Sequence, residues 1–240
     1  MHFKKAKGIL SSSNGMNLYR GCTHGCIYCD SRSKCYHMDH DFEDIEIKEN
    51  AIELLESALR RKRSKCMLGT GSMTDPYIPL EDEIGNVRKA LSLAYQYGFG
   101  FTLITKSARV LRDLDLLKAI NDKTKCVVQM TLTTCDEDLC RKIEPNVSTT
   151  QERAAVLRTL RDAGIPTVVW LFPHMKEKYI RTYGTQYQLN SPNNDMLMKL
   201  FHQICEDNGI VHDNAQIFEY LHKFEEKNKA VQLSLFDIIS

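Results

Sequence analysis

Apolar and polar positions divide most of the chain into short apolar runs separated by amphipathic stretches. In "ENAIELLESALRRKRSK", Ile52, Leu54, Leu55 and Leu59 share one face at helical spacing, and basic residues gather at the end that a helix dipole favours. The run "CMLGTGS" then reads as a buried strand opening into a glycine-rich turn. The alternation repeats with a helix at "GNVRKALSLAYQYG", a strand at "FTLITK", a helix at "ARVLRDLDLLKAIND" and a strand at "CVVQMTLTT". It ends with a helix at "TQERAAVLRTLRDAG" and a strand at "PTVVWLF". With the apolar run "MNLY" at residues 16–19, these five strands and their helices predict right-handed βαβ units, an α/β fold and much of a β/α barrel. Gly98, Gly100 and Gly164 fall where helices should stop.

After Pro173 the rhythm breaks into a polar, tyrosine-rich stretch, and helices resume at "DMLMKLFHQICEDNG" and "NAQIFEYLHKFEEKNKA". This sets the expected organisation as a core over residues 1–173 and a C-terminal loop plus helices over 174–240, packed on that core. The tail "VQLSLFDIIS" has the pattern of a docking strand, and Tyr179, Tyr183 and Tyr187 recur as one packing face or a stacking stripe.

A chain of 240 residues, 42% of them hydrophobic, suits a large single core and excludes a disordered protein. Its formal charge of +1 gives no global attraction to nucleic acid or an acidic membrane, so partner choice must rest on local sites. The basic run "RRKRSK" is better explained as solvated cations at a helix end than as a nucleic-acid patch. No run of about 18 apolar residues occurs, and the N-terminal apolar stretch is too short for a signal sequence, so a cytoplasmic protein without a membrane partner is expected. Nine cysteines cannot all pair, which fits a reducing compartment and directs attention to metal or redox chemistry.

The stretch "YRGCTHGCIYCD" concentrates that chemistry, with Cys22, Cys26 and Cys29 in one loop. Thiolates select zinc, copper(I) or iron–sulfur clusters. Zinc would require a fourth ligand, for which His24, Cys35, His37 and His40 are at hand. Three sulfurs alone can instead hold three corners of a four-iron cluster and leave one iron open to a ligand. Gly21 and Gly25 let the backbone curl around such an anion, and Ile27 and Tyr28 can pack beside it and face an aromatic ligand such as a purine.

"CTHGCIYC" resembles the cysteine signature of radical S-adenosylmethionine (radical SAM) enzymes. "GTGSMTDPYIPLE", "LITKSARVLRDLDLL", "TLTTCDEDLCRKIEP" and "LRDAGIPTVVW" extend the resemblance, over residues 14–172, to the branch that contains spore photoproduct lyase. The resemblance implies a [4Fe-4S] cluster on Cys22, Cys26 and Cys29, with S-adenosylmethionine chelated at the open iron. Reductive cleavage of that cofactor would give a 5′-deoxyadenosyl radical for hydrogen abstraction, with a flavodoxin- or ferredoxin-type electron donor as partner. A lyase acting on a DNA photoproduct is the branch analogy, which brings nucleic acid in as a partner the charge does not itself indicate.

The resemblance also assigns cofactor contacts. Thr70, Ser72 and Asp75, in the turn after the second strand, would bind an ammonium or hydroxyl group; a plain turn is the alternative. Lys106 at the end of "TLITK" would hold the cofactor carboxylate, and Thr131 or Thr133 would reach the ribose. Glu144 and Arg153 match a branch pattern that a salt bridge explains equally well, and no cysteine among Cys35, Cys135 and Cys140 aligns with a hydrogen donor. The chain departs from the family after "PTVVWLF", where one β/α unit of the partial barrel is expected to be missing, leaving a sheet edge for a dimer or the tail to cover. A non-catalytic iron–sulfur or zinc-binding scaffold derived from such an enzyme is the second reading.

Overall fold

The computed structural model describes residues 1–33, 36–171 and 194–227. Five strands form one parallel sheet in the order β2-β5-β6-β7-β8. These are β2 (Gly15–Met16), β5 (Met67–Thr70), β6 (Gly100–Thr105), β7 (Cys126–Leu132) and β8 (Thr167–Leu171). The predicted alternation therefore stands, and the sequential order gives the half-barrel path that right-handed crossovers produce. Among the described residues β8 is the last strand and the sheet edge. The turn, tyrosine stripe and tail placed at 172–193 and 228–240 lie outside the described residues, as does Cys35.

The crossovers are α1 (Ala51–Arg61), α3 (Asn86–Tyr97), α4 (Leu114–Lys123) and α6 (Thr150–Asp162), with the short α2 (Glu81–Ile84) and α5 (Glu137–Ile143) inserted at strand ends. Each buries the face its apolar spacing marks, such as Ala51, Leu55 and Leu59 of α1 and Leu117 and Ile120 of α4. They cover one sheet face, where Leu68, Phe101, Leu103, Cys126, Val128 and Met130 join the main core. Gly98, with φ +66°, closes α3 as expected. Gly100 instead belongs to β6, where a Cβ would run into Met67 and the Lys125 carbonyl.

Two departures from the sequence reading have simple causes. The run "MNLY" is split: Gly15–Met16 pairs with β5, while β3 (Tyr19–Arg20) turns away to pair antiparallel with β4 (Glu46–Lys48). β4 also pairs with β1 (His2–Lys4), making a small sheet from strands of two or three residues, too short for periodicity to mark. Second, the helix expected from Ala108 begins as a 3-10 segment over Ala108–Asp113, with Ser107 capping the Arg109 N–H, before α4 continues.

The opposite sheet face carries Met67, Thr102, Ile104, Val127, Gln129, Thr131, Val168 and Trp170, by the strand register. After α7 (Asn194–Asp207), the helix α8 (Asn214–His222) packs on that face: Leu221 meets Met67 and Val127, and Ile217 packs with Val168 and Trp170. Lys125, 1% exposed, ties the following segment down by donating to the carbonyls of Tyr220 (2.7 Å) and Lys223 (3.2 Å) and pairing with Glu225 at 3.0 Å.

Candidate active site

The other end of that sheet face, at the C-terminal ends of the strands, opens into a pocket of about 220 Å³. The cysteine loop, the turn after β5, and the ends of β6 and β7 form its walls. Cys22, Cys26 and Cys29 all line it, the first two buried.

Backbone geometry holds this loop open as a cup. Gly21 sits at φ +96°, where a Cβ would strike the Phe42 carbonyl, the group that accepts from the Cys22 N–H at 2.9 Å. The far side of the loop is stitched to the end of α5 and the segment after it: the Ile27 N–H donates to the Ile143 carbonyl (3.0 Å), and the Asn146 N–H donates to that of His24 (3.1 Å). The Asn146 side chain adds a third tie to the Thr23 carbonyl at 2.8 Å. Opposite, Gly71 at φ +98° lets the turn after β5 press against the Ile104 backbone, a position no side chain can occupy.

The surroundings of the buried thiols favour their protonated form. Burial pushes the Cys22 thiol up to about 12, with the Asp75 carboxylate adding to it, while the backbone N–H groups of His24 and Asp75 favour its thiolate. Burial raises Cys26 to about 11, and the Lys106 ammonium opposes the rise. In water-poor surroundings such sulfurs become thiolates when a cation replaces the proton. Among the described residues the groups compact enough for one metal ion are His2, His40 and Asp44, and Asp39, His40 and Glu46; the three thiols form no such group. His40, a candidate fourth zinc ligand, belongs with the small sheet, its Nε2 3.9 Å from Glu46, whose carboxylate Lys4 already meets at 3.0 Å.

Behind the loop lies a buried hub. Glu144 accepts from the Tyr28 hydroxyl, from Thr133 Oγ1 at 2.7 Å and from Arg153 Nη2 at 2.9 Å, and Lys106 Nζ stands 3.8 Å away. Neither Glu144 nor Arg153 exposes any side-chain surface. Arg153 also donates to the Thr131 carbonyl at 2.8 Å and contacts Cys140 Sγ at 3.0 Å. The pair thus joins β7, α5 and α6 to the cysteine loop, and burial with the Glu144 charge raises the Tyr28 phenol so that it stays a donor. Lys106 extends across the Tyr28 ring, 5.5 Å from its centre.

The named cofactor positions separate into two sets. Ser72, Asp75, Lys106, Tyr28 and Thr131 line the pocket. Asp75 does so with both oxygens engaged: Oδ1 accepts from the Tyr77 N–H (2.9 Å) and Thr105 Oγ1 (2.8 Å), and Oδ2 from the Lys106 N–H (2.7 Å). It fixes the strand end that carries Lys106. Thr70 is buried and pairs in register with Leu103, on the helix-covered side of the sheet. Thr133 stands behind Tyr28, at Glu144. His24, named in the sequence as a possible zinc ligand, is buried in the pocket wall, and the Glu144–Arg153 salt bridge that the sequence offered as one reading forms, with Glu144 also holding Tyr28 and Thr133.

The chain is similar in sequence and fold to known proteins. The family model described as the radical SAM superfamily matches residues 16–183. An uncharacterized protein of Mycobacterium bovis is 30% identical over 166 residues, covering 66% of this chain and 48% of its own. An uncharacterized protein of Methanocaldococcus jannaschii is 29% identical over 160 residues, covering 66% of this chain and 59% of its own. Among solved structures, spore photoproduct lyase complexed with a dinucleoside spore photoproduct superimposes with a TM-score of 0.52 at 17% identity, over 69% of this chain and 47% of that one. The chain thus spans about half the length of the proteins it matches. A three-thiol loop at the C-terminal mouth of a parallel half barrel, matched across most of its length by one family model, makes this chain a member of the radical SAM superfamily.

Proposed function

We propose that this chain is a radical SAM enzyme that binds a [4Fe-4S] cluster through Cys22, Cys26 and Cys29 and S-adenosylmethionine in the adjoining pocket. The observation that carries the proposal is the convergence of the three thiols, the Gly71 turn and Lys106 on one pocket at the C-terminal ends of the strands. A cluster held by Cys22, Cys26 and Cys29 would, when reduced, supply the electron for reductive cleavage of the cofactor and so the means of hydrogen abstraction.

The chain's own residues position and shield. Lys106 lines the pocket with its ammonium 3.8 Å from Glu144, and that positive charge would also attract the cofactor carboxylate. Ser72 offers an exposed hydroxyl from the opposite wall. Tyr28, its hydroxyl held by Glu144, turns a ring toward the pocket on which a purine can stack. Asp75 holds the Lys106 strand end, and Arg153 with Glu144 sets the depth of the cysteine loop.

The reductant is proposed to be a flavodoxin- or ferredoxin-type protein in the cytoplasm. A lyase reaction on a DNA photoproduct is the branch analogy for the substrate; fold alone does not carry it. The "RRKRSK" run gives it no support, because α1 ends at the opposite end of the sheet from the pocket and Arg60 is taken up by Glu56 and Tyr97. Turnover of photoproduct-bearing oligonucleotide by the reconstituted protein tests it, and unchanged lesion content beside active cofactor cleavage would dismiss it.

The general proposal is tested by anaerobic reconstitution with iron and sulfide, dithionite reduction and addition of S-adenosylmethionine. Formation of 5′-deoxyadenosine that depends on all three cysteines is expected. A loaded cluster that neither binds nor cleaves the cofactor would instead support the scaffold reading.

A further inference from the structure

A second cluster of metal-binding side chains lies outside the pocket, on the small sheet of β1, β4 and β3. Asp39, His40 and Glu46 bring one ligand atom each to within 4.8 Å of one another. His40 Nε2 is 3.9 Å from Glu46 Oε2 and 4.0 Å from Asp39 Oδ1, and His2 Nε2 stands 4.0 Å from the same Glu46 oxygen. The Glu46 side chain is only 5% exposed, on the middle strand of that sheet. Both rings are oriented as metal ligands are. His40 Nδ1 lies 2.9 Å from the Asp41 carbonyl, and His2 Nδ1 lies 2.9 Å from Asp44 Oδ2. Each partner is an acceptor, so each Nδ1 donates, and Nε2 is the atom left to face Glu46. An imidazole held this way through its other nitrogen is the arrangement found around bound zinc.

Among the described residues neither His40 Nε2 nor Glu46 Oε2 has a hydrogen-bond partner, although both atoms are buried. A lone pair set against a carboxylate is costly unless a cation joins them. Lys4 brings one to part of the cluster: its Nζ lies 3.0 Å from Glu46 Oε2 and 3.5 Å from Asp39 Oδ2, and leaves His40 Nε2 unserved. We propose that Asp39, His40 and Glu46, with His2 beside them, bind a divalent cation of the zinc class, which takes over from the Lys4 ammonium. Imidazole and carboxylate ligands suit such an ion. Tetrahedral ligands on bonds of about 2.1 Å stand about 3.4 Å apart, so the cluster closes by about half an ångström on binding. The ion arrives from water, because the Lys4 and Asp39 side chains that meet there are 48% and 68% exposed. Once bound it would pin residues 39–46, the segment whose Phe42 carbonyl accepts from the Cys22 N–H, and so brace the cysteine loop from outside the pocket.

The test titrates the full, metal-free chain with zinc(II) in competition with a chromophoric chelator, as wild type, His40→Ala, Lys4→Met and Cys26→Ser. Nitrogen NMR of the imidazoles is recorded alongside. Wild type should take up one zinc that Cys26→Ser retains, which separates this ion from any held by the thiols. His40→Ala should bind that ion more than about a hundredfold more weakly, beyond the 10–100-fold that outer-shell changes cost. Lys4→Met should bind it about fivefold more tightly, the worth of an exposed ion pair no longer competing for Glu46. The Nε2 resonances of His40 and His2 should move with the first equivalent. Zinc uptake that disappears in Cys26→Ser and ignores His40→Ala would overturn the inference, as would imidazole resonances that stay put while the ion binds. Weaker binding by Lys4→Met than by wild type would make the cluster a plain ion pair and sink it too. Should His40→Ala fail to fold, the wild-type resonances and Lys4→Met carry the decision.

Discussion

The two ends of one sheet face are built on opposite principles. At the N-terminal ends of the strands, Met67 and Val127 meet Leu221 of α8, and Lys125 is closed in by carbonyls and Glu225, so the space is filled. At the C-terminal ends, glycines at positive φ and a loop of thiols leave a pocket, with polar atoms turned toward it. A short polar ladder divides them: Trp170 Nε1 donates to Gln129 Oε1 at 2.7 Å, and Gln129 Nε2 donates to Thr102 Oγ1 at 2.8 Å. One end gains stability by apolar burial; the other forgoes that burial to keep space for a ligand.

The largest break in this contrast is expected from the thiols. Replacing any of Cys22, Cys26 or Cys29 with Ala should abolish cluster loading, because two thiolates hold a four-iron cluster poorly, while circular dichroism should show the fold retained. Full iron and sulfide content in any one variant would remove that residue from the ligand set.

The hub behind the loop comes next. Arg153→Met strands the Glu144 carboxylate without its buried partner and should lower unfolding stability by about 3–5 kcal/mol, read from denaturant curves. The double variant Arg153→Met, Glu144→Leu should recover part of that loss yet load cluster poorly, because Tyr28 and Thr133 lose their anchor. Normal loading in the double variant would reduce the hub to a stability device.

At the filled end, Leu221→Ala should cost about 2–4 kcal/mol through the cavity it leaves against Met67 and Val127, without changing iron content per folded chain. A matching loss of cluster would show that the two ends are coupled.

The amount legible in advance follows the same division. The parallel sheet, α1, α3, α4 and α6 were readable because long elements with one buried face repeat their spacing several times. The cysteine loop was readable because its chemistry is local in sequence. Thr70 lies on the helix-covered side of the sheet, a parity that nothing in "CMLGTGS" marks, because one step along a strand reverses the face. The salt bridge between Glu144 and Arg153, nine residues apart, was among the readings of the sequence, but the ties of Tyr28 to Thr133 and Glu144 cross more than a hundred residues, as does Leu221 against Met67, and no window of sequence displays them.

The smallest effect is with pH. Cys22 and Cys26 have folded-state values of about 12 and 11 against an ordinary 9, so the folded protein keeps protons that the unfolded chain loses. Stability of the metal-free protein from these groups is complete below about pH 9 and declines as pH rises toward their folded values, by about 1.4 kcal/mol per unit for each thiol. Unfolding curves at pH 8 and pH 10 should therefore separate, and Cys22→Ser should narrow the gap; a gap untouched by that change would assign it to other buried groups.

The central claim is that the open end of the sheet is a three-thiolate cluster site. Iron, acid-labile sulfide and zinc should be quantified on the anaerobically reconstituted wild-type chain beside the three cysteine variants. About four iron and four sulfide per chain, lost in each variant, is the result the structure predicts. Stoichiometric zinc without sulfide, held by the same cysteines, would contradict it.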